Sequence, residues 1–224
     1  MEELSRLSLS LFQGITEEEM KTLLTCLGAE RRQVVRGEQI YRTGDVITSL
    51  GIVLSGRMLI ETSDLWGNTT VLDSVEPGQL FAETYACVPG EPLLVDVVAA
   101  VPGEVLFLTL NRVLQVCAKG CNAHSQFIRN LLLLLARKNL NLSRKIFYTA
   151  PKTIRERVLS YLLDQTVRWG SRSITIPFNR QQLANYLNVD RSALSNELSK
   201  LQREGLLKVE RSHFTLLCGR EFEG

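Results

Sequence analysis

The hydrophobic rhythm of the chain changes twice. Up to residue 29, Leu7, Leu9, Leu11 and Phe12 precede the run Thr16-Glu-Glu-Glu-Met20-Lys-Thr-Leu-Leu24. Thr16 followed by Glu19 is a capping-box signature, which predicts a short helix ending near Gly28. From Arg31 to Leu110 the apolar residues come in short β-branched runs: Gln33-Val-Val35, Gln39-Ile-Tyr41, Ser49 to Leu54, Arg57 to Thr62, Thr69 to Leu72, Leu94 to Val98 and Glu104 to Leu108. Turn signals fall between them at Arg36-Gly37, Gly44-Asp45, Ser55-Gly56, Trp66-Gly67-Asn68, Pro77-Gly78, Pro89-Gly90 and Pro102-Gly103. Short, regularly spaced strands of this kind predict a β-barrel or jelly roll.

After Leu110 the rhythm becomes helical, and no Gly or Pro occurs between Asn122 and about Tyr148. That stretch predicts one long helix of roughly 40 Å at about 1.5 Å per residue. Ile128, Leu131, Leu135 and Leu142 form one apolar stripe, and Phe127, Leu132, Leu134 and Ile146 broaden it. A helix with two apolar faces packs on its own domain with one and on a partner helix with the other, which predicts a coiled-coil-like homodimer. The alternative is a core helix inside a monomer. Arg137, Lys138 and Asn139 near its middle either set register or line a ligand site. Pro151 ends the helix. Beyond it, Thr153 to Val167 reads as an amphipathic helix and Ser173 to Phe178 as a short strand. Two further helices follow at Arg180–Leu187 and Arg191–Glu204, broken at Asn188-Val189-Asp190, and a hairpin closes the pattern from Leu206. The class is therefore α+β, divided into residues 1–121, 122–150 and 151–224.

Composition narrows the function classes. The 224 residues are 45% hydrophobic and 22% charged, an ordinary globular balance. The longest apolar run, Leu131 to Ala136, is far too short to span a bilayer. No basic, apolar leader follows Met1, so a cytoplasmic protein without membrane contact is expected. Cys26, Cys87, Cys117, Cys121 and Cys218 are odd in number and scattered, which argues against a disulfide framework. The net charge of +2 conceals an asymmetry. Residues 1–151 carry 14 Lys+Arg against 16 Asp+Glu, whereas residues 152–224 carry 12 against 8. A basic C-terminal part beside a mildly acidic body suits contact with an anionic polymer.

The segment Asn179 to Gly205 gives that charge an address, because it has the texture of a helix-turn-helix. Leu183, Ala184 and Leu187 form the inner face of the first helix, Val189 plugs the turn, and Leu194, Leu198 and Leu201 hold the second helix. Asp190 stands where an N-cap is wanted. Arg191, Ser192, Ser195, Asn196, Lys200 and Arg203 then face outward. A recognition helix enters the major groove with its N-terminal residues toward base edges, where Arg pairs with guanine and Asn with adenine, so Arg191 and Asn196 are the expected base readers. Arg180, Lys200, Arg203 and the amides at the helix start are the expected phosphate contacts. A helical hairpin with a solvated polar face is the bland alternative. The basic charge and the hairpin that follows as a wing favour a winged helix-turn-helix on double-stranded DNA.

Three runs carry a resemblance: Arg36-Gly-Glu-Gln-Ile-Tyr-Arg-Thr-Gly-Asp45, Gly51-Ile-Val-Leu-Ser-Gly-Arg57 and Val75-Glu-Pro-Gly-Gln-Leu-Phe-Ala-Glu83. In order and spacing, and with the long helix and helix-turn-helix behind them, they resemble the Crp/Fnr regulators, with their cyclic-nucleotide-binding-type jelly roll. The resemblance implies a homodimeric transcription regulator that binds a palindromic operator, has RNA polymerase as a further partner, and senses an effector through its β domain. Nucleotide-binding members carry Gly-Glu at a short helix, with Arg-Ser or Arg-Thr about ten residues later; the Glu takes the ribose hydroxyl and the Arg the cyclic phosphate. Here the pairs are Ala82-Glu83 and Leu93-Leu94. A buried phosphate without a cation costs about several kcal/mol that two leucines cannot return, so cyclic AMP is not expected to bind in the usual manner. Glu83, Leu93, Leu94, Arg137 and Asn139 are the candidate effector positions. Glu83 either anchors a polar ligand or caps the turn, and the effector is an unidentified small molecule.

Other chemistries find little support. Some relatives carry an iron–sulfur cluster or haem, but the first hundred residues offer only Cys26 and Cys87 as thiolates. Cys117 and Cys121, spaced by four with His124 nearby, are either a metal or dithiol switch or two buried apolar-face thiols. Neither His124 nor His213 has a neighbouring nucleophile or carboxylate arrangement, and no phosphate-cradling glycine loop is present. No catalytic residue, metal site or cofactor is therefore expected. The competing reading is a ligand-binding or redox-responsive module whose C-terminal domain contacts a protein.

Overall fold

The computed structural model of the chain describes residues 10–64, 66, 69–110, 112 and 122–217. The chain packs as two compact units, residues 1–136 and 137–224. The division falls inside the long helix and not at residues 121 and 151, where the sequence texture changes.

The first unit opens with a 3-10 turn at Ser10–Phe12 and helix α1 at Glu17–Cys26. The capping box forms as expected: Glu19 N donates to Thr16 Oγ1 at 3.3 Å and Thr16 N to Glu19 Oε2 at 2.9 Å. Strands β1 (Glu30–Val34), β2 (Gln39–Tyr41), β3 (Ser49–Ser63), β4 (Thr69–Val75) and β5 (Leu80–Phe81) follow, then the short helix α2 (Glu83–Cys87) and strand β6 (Asp96–Thr109). Pairing is antiparallel throughout: β6 bonds to β1, β2 and β3, and β3 also bonds to β4 and β5.

Alternation along β3 and β6 explains why both faces of these strands are apolar. Leu50, Ile52 and Leu54, with Leu106 and Leu108, join a core that includes Met20 and Leu23 of α1. Val53, Met58, Val97, Ala99 and Val105 turn to the other side, where they pack with Phe81 in a second core. A strand buried on both faces reads as a continuous hydrophobic run rather than an alternating one.

Two expected turns are absent. Ser55-Gly56 and Pro102-Gly103 carry turn signals, but β3 and β6 continue through them as one long pair with shifted register. The reason is a close backbone approach. Gly56 has φ of +79°, and a β-carbon on Gly103 would stand 2.0 Å from Ser55 O. The two glycines make a bulge that bends both strands without ending them.

Helix α3, Asn122–Thr149, is the long helix of the sequence reading. Its first turns serve the first unit: Phe127 and Leu131 enter the α1-side core, and Asn130 Nδ2 donates to the carbonyls of Leu11 and Gln13 at 3.0 and 2.8 Å. Tyr148 near its end enters the core of the second unit. Leu132, Leu133, Leu140, Leu142, Ile146 and Phe147 are exposed. Cys117 and Cys121 lie outside the described residues. No helix among the described residues is long and apolar enough to cross a membrane.

The second unit continues with α4 (Ile154–Trp169), β7 (Ser173–Thr175), α5 (Arg180–Tyr186), α6 (Arg191–Arg203), β8 (Leu207–Glu210) and β9 (His213–Leu216). The strands form an antiparallel sheet in the order β7-β9-β8. Val158, Leu162, Leu183, Ala184, Leu194, Leu198, Leu201 and Phe214 share one core. Tyr148 OH donates to Asp164 Oδ2 at 2.5 Å, fixing the end of α3 on α4. Burial, followed by that bond, pushes the Tyr148 phenol well above its ordinary value.

Candidate nucleic-acid interface

The helix-turn-helix is assembled by local chemistry. Asn179 caps α5 by accepting from Gln182 N at 2.9 Å, and Gln182 Oε1 accepts from Asn179 N in return. At the other end Asn188 takes the left-handed conformation, φ +53°, and Val189 N donates to Ala184 O at 3.0 Å. This is a Schellman-type stop in which Asn does what Gly usually does. Val189 then packs on the core, as expected for the residue that plugs the turn.

Asp190 follows as the N-cap of α6. Its Oδ1 accepts from Ser192 N at 2.8 Å, Ala193 N at 3.0 Å and Ser192 Oγ at 2.5 Å. These bonds, the hydroxyl foremost, hold the carboxyl below its ordinary value. They also commit Asp190 and Ser192 to building the helix start.

With Leu194, Leu198 and Leu201 buried, helical periodicity turns the opposite face outward. Asn196, Lys200 and Arg203 are exposed on it, Arg191 is exposed in the first turn beside the leucine face, and Ser195 is half-buried with its Oγ donating to Arg191 O at 2.9 Å. Arg180 is the expected phosphate contact that departs most. Its guanidinium lies 5.4 Å from the centroid of the Phe214 ring, a cation–π position, and burial lowers its pKa. It lines an open cleft of about 540 Å³ between the start of α5 and the β8–β9 turn, where Arg211 stands with φ of +58°.

Sequence reasoning missed the arginines of α4. Arg157 Nε donates to Pro151 O at 2.8 Å and its Nη1 to Asn188 O at 2.8 Å, tying the segment after α3 to the turn of the helix-turn-helix. Arg155 pairs with Glu204 and approaches Glu197, both on or beside α6. Arginines on an amphipathic helix read as a solvated face, and nothing local signals their distant partners.

The expected effector residues are divided between the two units. Glu83 is buried at the start of α2, after Ala82 with φ of +61°. Leu93 is 1% exposed and belongs to the α1-side core, its backbone bonded to Gly44 and Asp45. Leu94, by contrast, is 67% exposed. Arg137 and Asn139 are exposed on the part of α3 that belongs to the second unit.

A curled antiparallel β domain followed by a long helix and a winged helix-turn-helix defines a class of DNA-binding regulators. Two family models agree: the cyclic nucleotide-binding domain matches residues 31–119 and the Crp-like helix-turn-helix domain residues 156–218. The Cyclic AMP receptor protein of Thermus thermophilus is 27% identical over 205 residues, covering 89% of this chain and 88% of that protein. The Transcriptional activator protein FnrA of Stutzerimonas stutzeri is 23% identical, covering 83% and 76%. Among solved structures, the Thermus thermophilus Catabolite Activator Protein superposes with a TM-score of 0.52 at 25% identity, covering 92% of this chain and 93% of that one. OCPA-complexed CprK superposes at 0.56 and 15% identity, covering 90% and 92%. The chain belongs to the Crp/Fnr family of transcription regulators.

Proposed function

We propose that this Crp/Fnr-type regulator binds a two-fold symmetric operator as a homodimer, with α6 as its recognition helix and an effector other than a conventionally bound cyclic nucleotide. The observation that carries the DNA reading is the exposed row Asn196, Lys200 and Arg203, with Arg191 exposed in the first turn, on a helix that buries three leucines. Arg191 and Asn196 read base edges in the major groove, while Lys200 and Arg203 hold phosphates. The homodimer is supported by the exposed leucines of α3, a face that a second copy of the same helix would cover. The effector reading is supported by Leu93, which fills core space at the position where the family's nucleotide-binding members carry a cation.

Selection of bound duplexes from a random-sequence pool tests the reading. Enriched sequences should contain two inverted half-sites separated by about one helical turn or a multiple of it. Recovery of no shared sequence overturns it.

A further inference from the structure

The recognition helix carries carboxylates among its cations. Glu197 follows the base reader Asn196 directly, and Glu204 caps the C-terminal end of α6. There the helix dipole is already negative and disfavours an anion. A duplex is repelled by both charges.

One guanidinium from another helix answers the two. Arg155, in the first turn of α4, is bidentate on Glu204: Nη1 donates to Oε1 at 3.1 Å and Nη2 donates to Oε2. The same Nη1 lies 4.0 Å from Glu197 Oε1. The other oxygen of Glu197 lies 3.7 Å from Lys200 Nζ. Arg155 holds the Glu204 carboxyl below its ordinary value, so that group stays ionised and keeps its need for a counter-charge.

Glu197 therefore has two cations with different freedom. The Glu197 side chain is 16% exposed and Lys200 57% exposed. Lys200 can leave for a phosphate; Glu197 cannot follow it into solvent and must rely on Arg155. With Arg155 removed, Lys200 is the cation left beside Glu197 among the described residues.

We propose that Arg155 is a positioning residue for DNA binding, which holds Glu197 and Glu204 so that Lys200 is released to a backbone phosphate. The inference rests on the phosphate role of Lys200 given above.

A charge cycle on the full chain tests it. Binding to a fluorescent mixed-sequence duplex is followed by anisotropy across a salt series, with circular dichroism confirming that each variant is folded. Arg155→Gln should weaken binding by about three- to tenfold and reduce the salt slope by about one, as Lys200→Gln does. The double variant should be no weaker than Lys200→Gln alone, and Glu197→Gln should restore the slope in the Arg155→Gln background. If Arg155→Gln does not fold, Arg155→Lys, which reaches one carboxylate at a time, should lose less and be restored in the same way. Additive losses from Arg155→Gln and Lys200→Gln, or no restoration by Glu197→Gln, overturn the inference alone. An unchanged salt slope in Lys200→Gln overturns the phosphate role and the inference together.

Discussion

Phe81 lies across Gly51, so close that a β-carbon at position 51 would stand 2.1 Å from the ring. The two residues are partners where β5 joins β3, and the ring makes edge contacts with Tyr41 and Phe107 at 6.0 and 6.3 Å between centroids. Gly51→Ala should therefore destabilise the protein by about 1–3 kcal/mol through overpacking. Urea denaturation measures this, and adding Phe81→Leu should recover part of the loss. Purely additive losses would show that the ring is not what excludes a side chain at position 51.

Asp190 makes helix α6 sensitive to acid. Its folded pKa is depressed below the ordinary value of 3.8, so its stabilisation is present above that pH and lost as pH falls through the folded value. Asp190→Asn should narrow the difference between thermal midpoints measured at neutral pH and near pH 3. Equal acid sensitivity in both proteins would remove the carboxylate from this role.

Arg191 and Lys200 should fail differently. Arg191→Ala should cost about 1–3 kcal/mol at one base-pair position and leave other positions unchanged, whereas Lys200→Gln should weaken all duplexes alike. Competition with single-base operator variants separates the two patterns, and identical profiles would refute the assignment.

Cyclic AMP and cyclic GMP should leave the thermal midpoint where it is. A ligand at a thousand times its dissociation constant would stabilise the fold by roughly 4 kcal/mol, so a micromolar nucleotide added at millimolar concentration could not go unnoticed. A clear rise in midpoint with either compound would mean that Leu93 does not exclude the phosphate.

The exposed leucines of α3 predict their own outcome. Leu142→Glu alters a residue that is 61% exposed, so it should leave the fold intact and abolish the dimer. Sedimentation equilibrium of the parent chain and the variant decides this; equal masses would contradict the dimer seam.

What the sequence made legible was local. The capping box at Thr16, the Asp190 N-cap and the leucine face of α6 all depend on residues within a few positions of one another, and each formed as expected, while the capping box at Asn179, equally local, was passed over. What escaped depends on distance. Ser55-Gly56 carries a turn signal, and only the approach of Gly103 shows that it is a bulge. Arg155 finds Glu204 across 49 positions of sequence, and Arg180 lies over the ring of Phe214, 34 positions away. Leu93 and Leu94 look alike in the sequence; backbone bonds to Gly44 and Asp45 hold Leu93 in the core while Leu94 stays in solvent.

The pairing of β6 also governs how the protein is made. Glu30 of β1 bonds across to Phe107 and Gln39 of β2 to Val98, so the earliest strands wait for the latest one. On the ribosome, β1 and β2 leave the tunnel as bare edges and stay so until β6 arrives, which exposes the nascent N-terminal half to misassociation. The helix-turn-helix draws its partners from nearby residues and closes almost as fast as it emerges. Translation pauses before the whole of β6, Asp96–Thr109, has left the tunnel are therefore the moment of greatest need for a chaperone.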